Sequence, residues 1–217
     1  KNIVIIGGVI VGVELAAEII EKFPKKKVTI IEYQKSLIYR NCKKSREYCE
    51  KFLKGIGVKI VLNEMFVKED KNYAITNKGR KVKSDLAFVC TGISFNSEFM
   101  GKNFSEKLDK EEMIKTNKFL QLDGYKNIFV GGDVTNIDEE KLAQNAKKHS
   151  KIIAENIKRL EKGEKLKKYV SKKRPFVISL GKYNGIFEYK NFVMTGFIPA
   201  IMKKLIEIWE VGRFRWF

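Results

Sequence analysis

The first stretch of the chain alternates between short apolar runs and segments with helical spacing. Asn2 to Ile6 is almost wholly apolar, which predicts a strand buried on both faces of a parallel sheet. Gly7, Gly8 and Gly12 follow, and then VELAAEIIEKF, with Val13, Ala16, Ala17 and Ile20 on one helical face. Pro24 ends that helix. Val28 to Ile31 is a second apolar strand closed by Glu32, so the opening segment reads as a β-α-β unit. Ser45 to Lys54 predicts another helix, with Tyr48, Phe52 and Leu53 on one side and Gly55 and Gly57 at its end. Val58 to Leu62 predicts a third strand. From Glu64 to Val82, short alternating strands with turns at Asp70-Lys71-Asn72 and Lys78-Gly79 predict a β-meander. Leu86 to Cys90 is a further buried strand that ends at Thr91-Gly92.

The pattern then loosens. Asn117 to Leu122 reads as a short extended piece, and Asn127 to Val130 as a strand running into Gly131-Gly132-Asp133. Residues 138–162 predict one long helix with Leu142, Ala146, Ile153 and Ile157 as its apolar stripe. Residues 163–174 read as a charged linker. Phe176 to Leu180, Gly185 to Tyr189 and Phe192 to Met194 predict the strands of a small cap. Pro199 at the first helical position would then open the amphipathic segment IMKKLIEIWEVG. No internal repeat or low-complexity tract interrupts the chain.

Composition adds three constraints. With 217 residues and 44% hydrophobic content there is material for a core, and global disorder is excluded. The net charge of +18 invites a polyanion, either nucleic acid or an anionic membrane surface. More than half of that excess lies in residues 141–174, and only 7 of the 44 basic residues are Arg. A lysine-dominated excess fits a solvated surface at least as well as a nucleic-acid reader, which favours the planar arginine fork. No apolar run approaches the ~18 residues that span a bilayer. Cys42 and Cys49 are not in C-x-x-C spacing, Cys90 ends a buried strand, and with one His they offer no redox dithiol and no metal constellation. The chain opens on Lys1 directly in a strand, so further sequence is expected upstream.

The glycine turn carries the sharpest chemistry. In a dinucleotide fold the first glycine permits a tight turn, the second admits the pyrophosphate, and the third lets helix and strand pack closely. Here Gly7 and Gly12 occupy the first and third positions, Gly8 lies between, and Val9 stands in the second. Glu32, at the end of the next strand, is placed to take a ribose hydroxyl and to repel a 2′-phosphate, which favours NADH over NADPH. The bland alternative is a Rossmann-like unit that binds nothing, since a branched side chain at Val9 would occupy the pyrophosphate position.

Taken together, IVIIGGVIVGVELAAEI, VTIIEYQKSLI, DLAFVCTGISFNSEF and LQLDGYKNIFVGGDVTNIDEEKLAQNAKKHSKIIAENI resemble the pyridine nucleotide-disulfide oxidoreductases. They resemble most the ferroptosis-suppressor and apoptosis-inducing-factor-2-like branch, which is related to the type II NADH dehydrogenases. VISLGKYNGI and the closing helix are similar to that branch's C-terminal region. The resemblance implies an α/β fold: a Rossmann-type parallel sheet with a β-meander over residues 1–92 for NAD(H), and the C-terminal part of a second, FAD-binding Rossmann domain over 93–162. A basic linker at 163–174 and a β/α cap at 175–217 complete it. It implies NADH at Gly7, Gly8 and Gly12, with Glu14 near the nicotinamide and Glu32 on the ribose. Thr91 and Gly92 would form the crossing back from the NAD domain, and Asp133 would hold a flavin ribitol hydroxyl. Lys141, Leu142 and Ala143 would lie beside the flavin ring, where a helix start favours an anionic reduced flavin.

The implied function is FAD-dependent oxidation of NADH, with electrons passed to a quinone or similar small acceptor. No side chain is assigned to catalysis, because the cofactors carry that chemistry. His149 is expected to pack or face solvent on its helix. The family places a first glycine fingerprint, for FAD, ahead of the NAD domain, and this chain begins at the second. Two alternatives stand beside the enzyme. One is a non-catalytic basic protein that holds nucleic acid or anionic membrane through Lys147 to Lys173. The other is an inactive remnant of the flavoenzyme. FIPAIMKKLIEIWEVGRFRWF, with Lys203, Lys204, Arg213 and Arg215, reads either as an interfacial membrane helix or as a packing helix. The expected location is cytoplasmic, peripheral to a membrane, with mitochondria as the alternative.

Overall fold

The computed structural model describes residues 1–172 and 175–214; Lys173 and Arg174 of the expected linker, and Arg215, lie outside them. The elements run β1 (Asn2–Ile6), α1 (Ile10–Lys22), β2 (Lys27–Glu32), α2 (Lys43–Gly55), β3 (Lys59–Leu62), β4 (Phe66–Asp70), β5 (Tyr73–Thr76), β6 (Lys81–Lys83) and β7 (Leu86–Val89). After a long irregular stretch come α3 (Ala143–Glu161), β8 (Phe176–Ser179), β9 (Gly185–Tyr189), β10 (Phe192–Gly196) and α4 (Phe197–Phe214). They divide into two compact units, Lys1–Gly92 with Arg174–Phe217, and Ile93–Lys173.

In the first unit a parallel sheet has the order β3-β2-β1-β7. Ile3 pairs with Val28 on one side of β1 and with Leu86 on the other. Both faces of β1 are covered, which is why its sequence is unbroken rather than alternating. Ile3 and Ile5 pack among Val13, Ala16, Ala17 and Leu53 of the two helices. Val4 and Ile6 face Ala74, with Phe66 and Val82 of the antiparallel β4-β5-β6 meander beside them. Ile5 and Val4 are fully buried, and each such side chain is worth about 1.5–3 kcal/mol relative to exposure.

The C-terminal sheet, order β10-β9-β8, belongs to this same unit. Ile178, Leu180, Ile186 and Val193 join the core that contains Ile5, Ala16 and Leu53. Glu188 of β9 reaches the start of α2, where its carboxylate accepts from the Cys42 N–H (3.2 and 3.3 Å) and from Ser45 Oγ (2.5 Å). A carboxylate at a helix N-terminus is favourable for the orphan amides and for the helix dipole. α4 begins two residues before Pro199, which sits inside the first turn, where its missing N–H still costs nothing. The helix leaves Ile201, Leu205, Ile208 and Trp209 exposed. Among the described residues no helix is long and apolar enough to cross a membrane.

The second unit departs from the sequence expectation in three ways. Asn127 to Val130 does not form a strand, and Asn117 to Leu122, expected as a short extended piece, turns at Lys118 and Phe119. Among the described residues only single bridges appear, Thr116 with Leu122, Gln121 with Phe129, and Ile114 with both Leu108 and Thr135. Residues 120–122 and 128–130 do lie antiparallel, through Leu122 N–H to the Ile128 carbonyl and Val130 N–H to the Leu120 carbonyl (both 2.9 Å), but the pairing is too short to become a ladder. Next, the long helix starts at Ala143 rather than 138: the chain bends at Asp138 and Glu139 and reaches the helix through an extended Leu142. Finally, its buried face is Asn145, His149, Ile152 and Asn156, while Ile157 is 42% exposed. Residues 163–172, expected as a linker, have no regular structure yet return to α3. Tyr169 is 9% exposed beside Leu120 and Ile152, and Asn156 binds the Lys167 backbone.

Candidate functional site

The glycine turn joins β1 to α1 in the first unit. Gly7 has φ +106, a conformation L side chains rarely adopt, and a Cβ there would overlap the Cys90 carbonyl oxygen. Gly12 lies in the first turn of α1, where a Cβ would overlap the Gly7 carbonyl oxygen. These two glycines let strand and helix meet, as the spacing predicts. Val9 is the residue before α1, with φ −75 and ψ 177. That is ordinary extended backbone, so the chain conformation itself does not demand glycine there. No side chain caps α1, and its first-turn amides are left to an external acceptor.

Glu32 sits directly behind the turn and is 5% exposed. Its Oε2 accepts the Gly8 N–H at 2.5 Å and its Oε1 accepts the Gln34 N–H at 2.7 Å. The carboxylate therefore holds the loop first, and each oxygen retains a further acceptor position. Glu14 lies on the other side of α1. Its Oε1 accepts from the Ser179 N–H (2.9 Å) and from Lys203 Nζ (3.0 Å), which ties α1 to β8 and α4. Thr91 and Gly92 are exposed just past β7, with Gly92 at φ +125. Cys49 is fully buried and burial pushes its thiol up to about 12, so it stays protonated near neutral pH. Among the described residues no cluster of His, Cys, Asp and Glu could hold a metal ion.

The second unit carries the Gly131-Gly132-Asp133 turn. Asp133 is exposed, directly after Gly132 at φ +87. Gly131 is pressed against α3, where a Cβ would stand 2.7 Å from Ile153 Cδ1 and 3.2 Å from His149 Cβ. Lys141 donates to the Thr135 and Ile137 carbonyls at 2.6 and 3.0 Å and lies 5.9 Å from the Phe95 ring centroid. Burial holds its ammonium below the usual lysine range, against the pull of Glu139 and Asp133. Leu142 is the extended residue before α3, Ala143 opens the helix, and no side chain caps it.

One group of residues went unrecognised in the sequence. His149, expected to pack or to face solvent, is 2% exposed, with Nε2 2.9 Å from Glu139 Oε1 and Nδ1 accepting the Gly132 N–H at 3.0 Å. Tyr169 Oη donates to the Glu139 carboxylate (2.7 and 2.9 Å), as does Ser171 Oγ (2.7 Å). Burial would raise the Glu139 carboxyl, but the bonds from Tyr169 and Ser171 and the proximity of His149 prevail and lower it. The available signal was the 4-3-4 spacing of Asn145, His149, Ile152 and Asn156, a mostly polar stripe at helical period.

The family model described as pyridine nucleotide-disulphide oxidoreductase matches residues 1–150. Ferroptosis suppressor protein 1 of Homo sapiens is 32% identical over 213 residues, covering 94% of this chain and 57% of that protein. Apoptosis-inducing factor homolog B of Dictyostelium discoideum is 32% identical over 232 residues, covering 94% and 60%. The chain thus spans little more than half the length of these relatives. Among solved structures, NDH2 from Plasmodium falciparum in complex with NADH superposes with a TM-score of 0.82 at 13% identity, over 95% of this chain and 61% of that one. An FAD-dependent pyridine nucleotide-disulphide oxidoreductase from Desulfovibrio vulgaris gives 0.71 at 19% identity, over 86% and 48%. At such identities the likeness establishes the fold, an α/β Rossmann type with a parallel core sheet and added antiparallel sheets.

Proposed function

The chain belongs to the pyridine nucleotide-disulphide oxidoreductase family, and on that premise we propose that it serves FAD-dependent oxidation of NADH, with a quinone or similar small molecule as electron acceptor. The observation that carries the reading is the uncapped start of α1 above the Gly7-Gly8 turn, with Glu32 behind it. The uncapped first-turn amides of α1 suit a pyrophosphate, and the spare acceptor positions on Glu32 suit ribose hydroxyls. The negative charge of Glu32 disfavours a 2′-phosphate, so the nucleotide is NADH rather than NADPH.

In this reading Gly7 and Gly12 hold the amides in place, and Val9 narrows the approach to them. Glu14 acts at a distance, by tying α1 to β8 and α4. In the second unit the exposed Asp133 carboxylate would take a hydroxyl of the flavin ribitol, and Lys141 stiffens the segment before α3 by binding two of its carbonyls. Bound NADH and FAD would together supply the hydride-transfer chemistry, for which the protein contributes position and charge. The test is NADH and NADPH titration of the chain, followed by NADH-dependent reduction of a soluble quinone in the presence of FAD. Saturable NADH binding with weaker NADPH binding is expected. No binding of either nucleotide would overturn the proposal.

Val9 supports a second reading, a remnant whose nucleotide site is blocked, since its backbone conformation permits a side chain where the motif has none. Restoring glycine separates the two readings.

A further inference from the structure

The Gly131-Gly132-Asp133 turn is held from both sides. The Gly132 carbonyl accepts from Thr135 Oγ at 3.0 Å and from the Thr135 N–H at 3.3 Å. The Gly132 N–H has a different kind of partner, the Nδ1 of His149 at 3.0 Å. An imidazole nitrogen that accepts a hydrogen bond carries no proton, so the ring proton sits on Nε2, facing Glu139 Oε1 at 2.9 Å. Glu139 is fixed in turn by Tyr169 and Ser171, and the Tyr169 ring stands edge-on to the imidazole at 4.4 Å between centroids. The directions are defined at both ends of the row: the Tyr169 and Ser171 hydroxyls donate to the carboxylate, the turn amide donates to the imidazole, and between them Nε2 stands close to the carboxylate as a charge contact.

We propose that His149 is a positioning residue for the flavin-contacting turn: its neutral ring anchors the Gly132 amide, so that Asp133 is presented for the cofactor only while His149 is unprotonated. This rests on the reading that the turn takes flavin. A proton added at Nδ1 would place two N–H donors face to face 3.0 Å apart, and the anchor would become a repulsion. The groups around the ring are Glu139 and Lys141 from the segment before α3, Lys148 on α3, and Tyr169 from the returning segment. Burial opposes protonation most strongly, Lys141 and Lys148 add to it, and Glu139 acts the other way. The balance holds the ring below the ordinary histidine value, so it is neutral at physiological pH.

The experiment follows the Gly132 amide and the His149 ring nitrogens by heteronuclear NMR in the 217-residue chain as pH falls from about 7.5 to about 5, alongside FAD titration. In the wild type the amide resonance is expected to move with the same midpoint as the ring nitrogens, below the ordinary histidine value. FAD affinity should weaken about 3- to 10-fold across that midpoint, the equivalent of one hydrogen bond. His149→Gln keeps a neutral acceptor and a donor, so the amide and the FAD affinity should both become flat with pH. His149→Phe removes the acceptor, and the amide should be released at every pH. A wild-type amide insensitive to the titration of His149 overturns the proposal, and that measurement needs no variant to fold. So does a His149→Gln protein that still follows the wild-type pH profile. If the amide titrates as expected but FAD binds at no pH in any variant, the flavin reading falls, and with it the role assigned to the turn; the hold of His149 on Gly132 stands.

Discussion

Asn156 and Ile157 have exchanged the roles that hydrophobicity assigns them, and the exchange is measurable. Asn156 is fully buried, donating to the Phe119 and Lys167 carbonyls at 3.0 and 2.9 Å and accepting the Lys167 N–H at 2.7 Å. Asn156→Ala removes three hydrogen bonds to backbone groups. At about 1 kcal/mol net for each bond, the cost is about 3 kcal/mol, and more if the orphaned groups stay dry. Ile157→Ala trims a side chain that is already 42% exposed on a helix where alanine is the best former, so about 1 kcal/mol is expected. Urea unfolding of both variants gives the comparison, and exchange of the Lys167 amide localises it. For Asn156→Ala that amide should lose about a hundredfold of its protection. If Ile157→Ala costs as much as Asn156→Ala, the buried polar face assigned to α3 is wrong.

Three further outcomes follow from other parts of the molecule. Val9→Gly should tighten NADH binding about tenfold or more if the branched side chain obstructs the pyrophosphate, and an unchanged dissociation constant in calorimetry would show that Val9 leaves room. Glu188→Gln removes the charge at the start of α2 while keeping its shape, and should lower stability by about 1–2 kcal/mol in urea unfolding; no change would mean that water satisfies those groups equally well. Acidification should weaken the second unit, with the sign set by two groups. His149 lies below its ordinary 6.5 when folded, so its contribution is complete above 6.5 and is lost as pH falls through the folded value. Glu139 lies below 4.5, so its share is complete above 4.5 and goes at lower pH still. Unfolding temperature measured against pH should therefore fall on both steps, and a maximum in acid would refute the assignment.

How much was legible depended on how repetitive the packing was. β1, α1 and β2 were readable because Ile3 to Ile6 and Val13, Ala16 and Ala17 meet regular neighbours, so apolar period and burial coincide. The glycine turn was readable because Gly7 and Gly12 answer a steric demand that only glycine meets. In the second unit the backbone is mostly irregular, and its free carbonyls and amides must be satisfied by side chains. Asn156, Gln121 and His149 do this, so polar residues go inside and Ile157 goes out. Period alone does not record that bookkeeping. The pairing of Glu14 with Lys203, or of Glu188 with Ser45, was equally silent, since nothing local links positions so far apart in sequence.

The distance between Ser45 and Glu188 also bears on the order in which the protein can be built. The first unit's core draws Ile178, Leu180, Ile186 and Val193 into contact with residues of β1, α1 and α2 that are made long before them. At roughly 5–20 residues per second, about 5 to 20 s pass on a ribosome between the completion of β7 and the emergence of β9. Throughout that interval α2 has its N-terminal amides without Glu188, and one side of the helical layer has no cover. A stop or frameshift after α3 would therefore leave the glycine turn on a sheet whose helical layer lacks the cover of Ile178, Leu180, Ile186 and Val193.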